Sequence, residues 1–164
     1  MIAGRCLYIS KWGEEKTWYG AHIHCRNLSS QLITDPSWEV ASHIRGNKDD
    51  CNLANDGLCG FGTWVAGFYQ PYESYQWITS TNSSGYPCDT LGRRPITYID
   101  WFNTTYTHNP NRTESDISCL TMITSSKKNG FFADEPCFKF FPYVCGHKEV
   151  ETCSGPQSFW LKPL

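Results

Sequence analysis

The sequence predicts a single α+β domain. Three observations lead there: two amphipathic helical stretches near the front, short apolar runs separated by long polar loops behind them, and nine cysteines in a chain of this size. At 164 residues there is room for one compact domain and little for a second.

Residues 5–10 (Arg-Cys-Leu-Tyr-Ile-Ser) read as a strand. A helix is expected from Thr17, because Trp18, Ala21, His22, Cys25 and Leu28 recur at three- and four-residue spacing. Asp35-Pro36 is a helix start signal, with Asp as N-cap and Pro at the first helical position. A second helix would then bury Trp38, Ala41 and Ile44 and stop at Gly46. Beyond Gly46 the helical period vanishes. Residues 46–62 are rich in Gly, Asn and Asp, and they hold Cys51 and Cys59, which proximity makes a candidate pair across a surface loop. Residues 63–69 (Thr-Trp-Val-Ala-Gly-Phe-Tyr) look like a buried strand, 79–97 and 102–116 like polar loops, and 119–124 and 138–145 like short strands.

Composition removes several function classes. The net charge is -2 with no basic stripe, which argues against nucleic acid as a partner. The apolar runs are far shorter than the ~20 residues that span a bilayer, which argues against membrane insertion. Nine cysteines without a single Cys-x-x-Cys pair favour disulfides over zinc. Glycosylation sequons at Asn27, Asn82, Asn103 and Asn111 point the same way, to the secretory route and a secreted or extracellular location. No signal-peptide core follows Met1, so the chain reads as a mature or excised domain.

No Gly-x-Ser-x-Gly elbow, phosphate loop or His-Glu-x-x-His motif occurs, and an enzyme is not expected. On the first helix His22 and Cys25 share a face but His24 does not, which makes a poor metal cluster. Trp18, Trp38, Trp64 and Trp101 fit core or half-buried positions. Tyr69, Tyr72, Tyr75, Trp77, Tyr86, Phe102 and Tyr106 crowd the expected loops, and any left exposed would form a patch suited to protein recognition.

Between residues 5 and 147 the chain resembles the C-type lectin-like family. The resemblance is carried by Cys6-Leu7-Tyr8, Lys16-Thr17-Trp18 leading to Cys25, and Trp64-Val65-Ala66-Gly67, similar to the family's Trp-Ile-Gly-Leu strand. It continues through Tyr98-Ile99-Asp100-Trp101, the proline motif Asn109-Pro110-Asn111, Cys119, Asp134 before Cys137, and Tyr143-Val144-Cys145. The resemblance implies a domain over residues 1–147, with two helices, small mixed antiparallel sheets and a long loop, and a C-terminal extension at 148–164. It also implies two disulfides, Cys25–Cys145 and Cys119–Cys137. First and last strands are neighbours in the resembled fold, which makes Cys6 with Cys153 plausible. Cys88 is then left over. It is a free thiol, or part of a different pairing among the five cysteines outside the family pattern, or the joint of a disulfide-linked dimer.

In sugar-binding members of the family, calcium sits at the tip of the long loop. Its ligands flank a cis-proline, with a further acid and an Asn-Asp pair downstream. Here Asn109-Pro110-Asn111 replaces the family's Glu-Pro-Asn or Gln-Pro-Asp, and Phe132-Ala133-Asp134 replaces Trp-Asn-Asp. The implied metal ligands are Asn109, Asn111, Asp134 and one of Glu114 or Asp116. That is about four or five oxygens and about two negative charges, fewer than tight calcium sites assemble. A glycan on Asn111 would also occupy the place of a ligand sugar. Calcium is therefore a doubtful cofactor. Asp134 as a hydrogen-bond acceptor for the loop, and Pro110 as a turn former, are the plain structural uses of the same residues.

The expected function is extracellular recognition of a protein or glycan ligand through the long-loop face, with Asn109, Asn111, Asp134 and Tyr106 as ligand-binding candidates and calcium dependence weak or lost. The alternative is a structural, disulfide-linked subunit of an extracellular, venom or surface assembly.

Overall fold

The computed structural model describes residues 6–11, 13–46, 62–70, 74–88, 91–99, 101, 117–123 and 132–146. In chain order the elements are β1 (Leu7–Ile9), α1 (Trp18–Asn27), β2 (Gln31–Leu32), α2 (Trp38–Gly46), β3 (Thr63–Tyr69), β4 (Gln76–Ile78), β5 (Arg93–Pro95), β6 (Ser118–Met122), β7 (Phe132–Glu135) and β8 (Val144–Gly146). They form a three-stranded sheet, ordered β1-β8-β2, and a five-stranded sheet, ordered β5-β4-β3-β6-β7. The pairing of named strands is antiparallel throughout. Parallel geometry occurs only in isolated bridges, Trp64 to Tyr143 and Trp101 to Phe132, among the described residues.

Helix α1 begins where expected. The Thr17 side chain accepts from the Gly20 N–H at 3.1 Å, which satisfies one of the free donors of the first turn. Trp18, Ala21, His22 and Cys25 are buried on one face, as the spacing predicts. Helix α2 departs from its expected start. Asp35 sits at φ +47°, outside the extended region an N-cap uses, and its carboxylate meets the Arg94 guanidinium. Ser37 takes the cap instead, its hydroxyl accepting from the Val40 N–H at 3.4 Å. Val40, Ala41 and Ile44 are buried, and Trp38 is half-buried against the core.

Four strands lie where no strand was expected, the first of them the two-residue β2. β4 and β7 are only three and four residues long, and β5 is Arg-Arg-Pro, with no apolar alternation to mark it. The stretch 79–97 is thus not all loop. The expected strand at 138–145 shortens to β8, because a turn closes at 136–139 (Lys139 N–H to Pro136 carbonyl, 3.0 Å) and Pro142 has no N–H to give a ladder.

Strand β3 is buried along nearly its whole length, which explains its unbroken apolar run. The two sheets meet through it. The Trp64 N–H donates to the Pro142 carbonyl, and Ile33 links Val144 of β8 to Ala66 of β3 by two backbone bonds. Two fully buried tryptophans satisfy each other's neighbourhoods, since a buried indole N–H needs an acceptor. Trp18 Nε1 donates to the Val65 carbonyl and Trp64 Nε1 to the Lys16 carbonyl, each at 2.9 Å. Cys25–Cys145 ties α1 to β8, and Cys119–Cys137 ties β6 to the segment after β7. Cys6 is disulfide-bonded as well. Cys51, Cys59 and Cys153 lie outside the described residues.

His22 makes the core sensitive to acid. Its ring lies edge-on to Trp18 at 4.2 Å, and its Nε2 has no hydrogen-bond partner among the described residues. Burial, and after it the nearby Arg26 cation, push its pKa from the ordinary 6.5 down to about 3. Between those values the unfolded chain binds a proton that the folded chain refuses. Stability contributed by His22 is therefore present above pH 6.5 and lost as pH falls toward 3. Urea unfolding from pH 7 to pH 4 is expected to separate the native chain from His22→Leu by a slope approaching about 1.4 kcal/mol per pH unit. Parallel pH profiles would contradict this.

Candidate functional site

The candidate site is the part of the five-stranded sheet that holds Trp101 and Ile117, the described residues on either side of positions 102–116. Trp101 bridges to Phe132 at the start of β7, and Ile117 leads directly into β6. In the β6–β7 register, Leu120 faces Asp134 and Thr121 faces Ala133.

Asp134 is fully buried. Its Oδ2 accepts from the Tyr75 hydroxyl at 2.9 Å, and that same hydroxyl lies 3.2 Å from Ser118 Oγ. Tyr75 stands just before β4, so this small polar cluster joins β4, β6 and β7. Aromatic rings enclose it. Tyr75 packs against Tyr69 at 5.0 Å and edge-on against Trp101 at 5.2 Å, while Trp77 meets Phe132 at 6.0 Å. Trp77 is itself buried in β4 and so does not belong to a loop as the sequence suggested, while Tyr69 ends β3, where the expected strand 63–69 also ends.

Among the described residues most of the exposed aromatics are different ones, while Tyr72, Phe102 and Tyr106 lie outside the described residues. Tyr98, Phe138 and Phe140 are exposed, and of the expected loop aromatics Tyr86 is exposed at 45%. Tyr75 as the donor to Asp134 was not legible from sequence, because the two are 59 residues apart and no motif links them. Asn109, Asn111, Glu114, Asp116 and Tyr106 lie outside the described residues, as does Pro110.

The described donors do not by themselves make a calcium site. Calcium takes roughly six to eight oxygens. Asp134 supplies one carboxylate that is buried and already accepts from Tyr75. Ala133 has no side-chain oxygen, and its carbonyl accepts from Thr121 Oγ1 at 3.2 Å. Among the described residues no three His, Cys, Asp or Glu side chains converge to hold a metal ion.

A second polar cluster lies by the three-stranded sheet. The Tyr8 hydroxyl donates to Glu14 Oε2 at 2.9 Å, and the Tyr143 hydroxyl meets His24 Nδ1. Burial raises the Tyr8 pKa to about 12. The Lys11 backbone N–H, foremost among its partners, holds the Glu14 carboxyl below its ordinary value. Burial lowers His24. These groups sit where β1, α1 and β8 join, and they account for one another.

The family model described as "Lectin C-type domain" matches residues 14–147. The chain belongs to the C-type lectin domain family. Solved structures of the same fold agree. A calcium-independent type II antifreeze protein is 23% identical, with a TM-score of 0.56, over 90% of this chain and 89% of that one. A mouse scavenger receptor C-type lectin carbohydrate-recognition domain is 20% identical, with a TM-score of 0.54, over 93% and 94% of the two chains. Human lithostathine is 18% identical, with a TM-score of 0.54, over 88% and 92%. No relative among curated protein sequences matches the chain. In this C-type lectin-like domain no described helix is long and apolar enough to cross a membrane. Of its sequons, Asn27 closes α1 and is exposed, Asn82 is exposed, and Asn103 and Asn111 lie outside the described residues.

Proposed function

We propose that this domain is a secreted or extracellular recognition module, binding a protein or glycan ligand through its long-loop face without dependence on calcium. The observation that carries the reading is Asp134, the acid surviving from the family's Asn-Asp pair. It is sealed in the sheet as the acceptor for Tyr75 instead of being presented at the surface. One relative of the same fold is calcium-independent and another is a carbohydrate-recognition domain, so both properties suit this scaffold. Asn109, Asn111 and Tyr106 remain the ligand-contacting candidates on the loop, with residues 148–164 as an extension outside the recognition domain.

Thermal unfolding in several millimolar calcium and again in chelator tests the calcium part. A ligand that binds only the native state raises the midpoint by mass action. The expected result is coincident midpoints, and ligand binding that survives in chelator. A rise of several degrees with calcium, or calcium-dependent retention on a mannose or galactose column, would overturn the reading.

A second reading is favoured by one observation. Cys88 is a free thiol, half-buried at the end of the 80–88 hairpin. A covalent dimer on non-reducing gels, lost in Cys88→Ser, would move the assignment to a disulfide-linked structural subunit.

A further inference from the structure

The sequon at Asn82 is built into the fold in a way its motif does not reveal. Residues 80–88 form a tight hairpin, with the Asn82 N–H donating to the Tyr86 carbonyl at 2.8 Å and the Gly85 N–H to the Asn82 carbonyl at 3.0 Å. The Asn82 side chain closes it from within. Its Oδ1 accepts from the Ser84 N–H at 2.9 Å and the Tyr86 N–H at 3.1 Å. Because the amide is planar, Nδ2 is the corner directed away from those backbone donors, on an exposed residue.

The hairpin is also clamped to α1. Arg26 donates to the carbonyl of Asn82 at 2.7 Å and to those of Thr81 and Ser83 at 3.4 Å. Gly85, at φ +78°, lies so close to helix α1 that a Cβ there would fall 2.2 Å from the Tyr19 carbonyl oxygen. On the same side the Tyr86 ring stacks on Tyr19, with centroids 4.5 Å apart and planes 11° apart. One face of Tyr86 is thus covered by Tyr19, while the residue as a whole stays 45% exposed.

We propose that Asn82 carries an N-linked glycan whose first sugars pack on the uncovered face of Tyr86 and so strengthen the clamp between the hairpin and α1. In the attachment step a polyprenyl-diphosphate oligosaccharide is the donor. Asn82 Nδ2 forms a bond to the sugar C1, the C1–O bond to the diphosphate breaks, the lipid diphosphate leaves with the bonding electron pair, and Nδ2 gives up one proton. The amide carbonyl is unchanged, so Oδ1 goes on accepting from Ser84 and Tyr86. The negative face of an aromatic ring attracts the partly positive C–H face of a pyranose, and the contact also removes apolar ring surface from water. The backbone of the sequon is already fixed by Arg26, so little further ordering is needed to hold the contact.

This proposal rests on the secretory placement proposed above, and the experiment separates the two. The domain is secreted from eukaryotic cells as the native chain, Ser84→Ala, Tyr86→Ala and the double variant. Ser84→Ala destroys the sequon but keeps the turn, which uses only the Ser84 backbone N–H. Glycopeptide mass spectrometry is expected to find sugar on Asn82 in the native chain and none in Ser84→Ala. Thermal unfolding is expected to show a midpoint about 2–4 °C lower for Ser84→Ala than for the native chain, and a difference below about 1 °C when Tyr86→Ala is present in both. An unmodified Asn82 beside glycans at other sequons would overturn this inference alone, and no glycan at any sequon would overturn the secretory placement with it. Equal midpoint shifts with and without Tyr86 would overturn the packing.

Discussion

Replacing Cys25 and Cys145 together by alanine is expected to destabilise the domain by about 5 kcal/mol, against about 3 kcal/mol for the same change at Cys119 and Cys137. The order follows from loop closure. The first bridge joins residues 120 apart and the second residues 18 apart, so the first removes more freedom from the unfolded chain. Position adds to length. Cys25 lies on the buried face of α1 and Cys145 in the middle strand of the three-stranded sheet, so this one bond fastens the helix to the strand between β1 and β2. Urea unfolding of the two double variants, with all other cysteines kept, gives the comparison. Since a domain of this size is stable by only about 5–15 kcal/mol, the Cys25–Cys145 variant is expected to lose between about a third and all of that margin. Equal losses for the two variants would show that the short bridge acts through native packing and that chain entropy does not set the order.

How much of this was legible in advance depends on how far apart in sequence the partners lie. The α1 face of Trp18, Ala21, His22 and Cys25 and the apolar run of β3 were readable because local spacing carries them. β2, β4, β5 and β7 were not, since two to four residues hold no measurable period and their positions depend on the neighbouring strands. The start of α2 departs from its sequence signal for a chemical reason. Asp-Pro is a good start signal, but Asp35 is drawn into an ion pair with Arg94, a residue far along the chain, and the Ser37 hydroxyl takes the cap.

At the site, the resemblance singled out Asp134 but left open whether it serves the sheet or a ligand. That choice turns on Tyr75 and Ser118, whose approach to Asp134 no local pattern encodes. The same holds for the exposed aromatics. Tyr69, Tyr75 and Trp77 have the composition of a binding patch, yet they pack inward around Asp134, while Phe138 and Phe140 project from a turn beside a half-buried Phe141. Composition ranks residues as capable of recognition, and the sheet decides which of them face water.

Tyr75→Phe is expected to cost about 2–3 kcal/mol, equally in calcium and in chelator. The substitution leaves the ring in its contacts with Tyr69 and Trp101 and removes only the hydroxyl. What it takes from Asp134 is a donor to a carboxylate with no exposed surface, and a hydrogen bond to a buried charged group is worth more than one between neutral groups. Asp134→Asn provides the control, because an amide oxygen still accepts from Tyr75 while the buried charge is gone. It is expected to cost less than Tyr75→Phe, and to make a later Tyr75→Phe change cheaper than it is in the native chain. If Asp134 were instead kept chiefly to hold an ion, both single changes would be nearly silent in chelator and costly only in calcium. Unfolding midpoints of the four proteins under the two conditions therefore distinguish an acid retained to knit β4, β6 and β7 together from one retained for a metal.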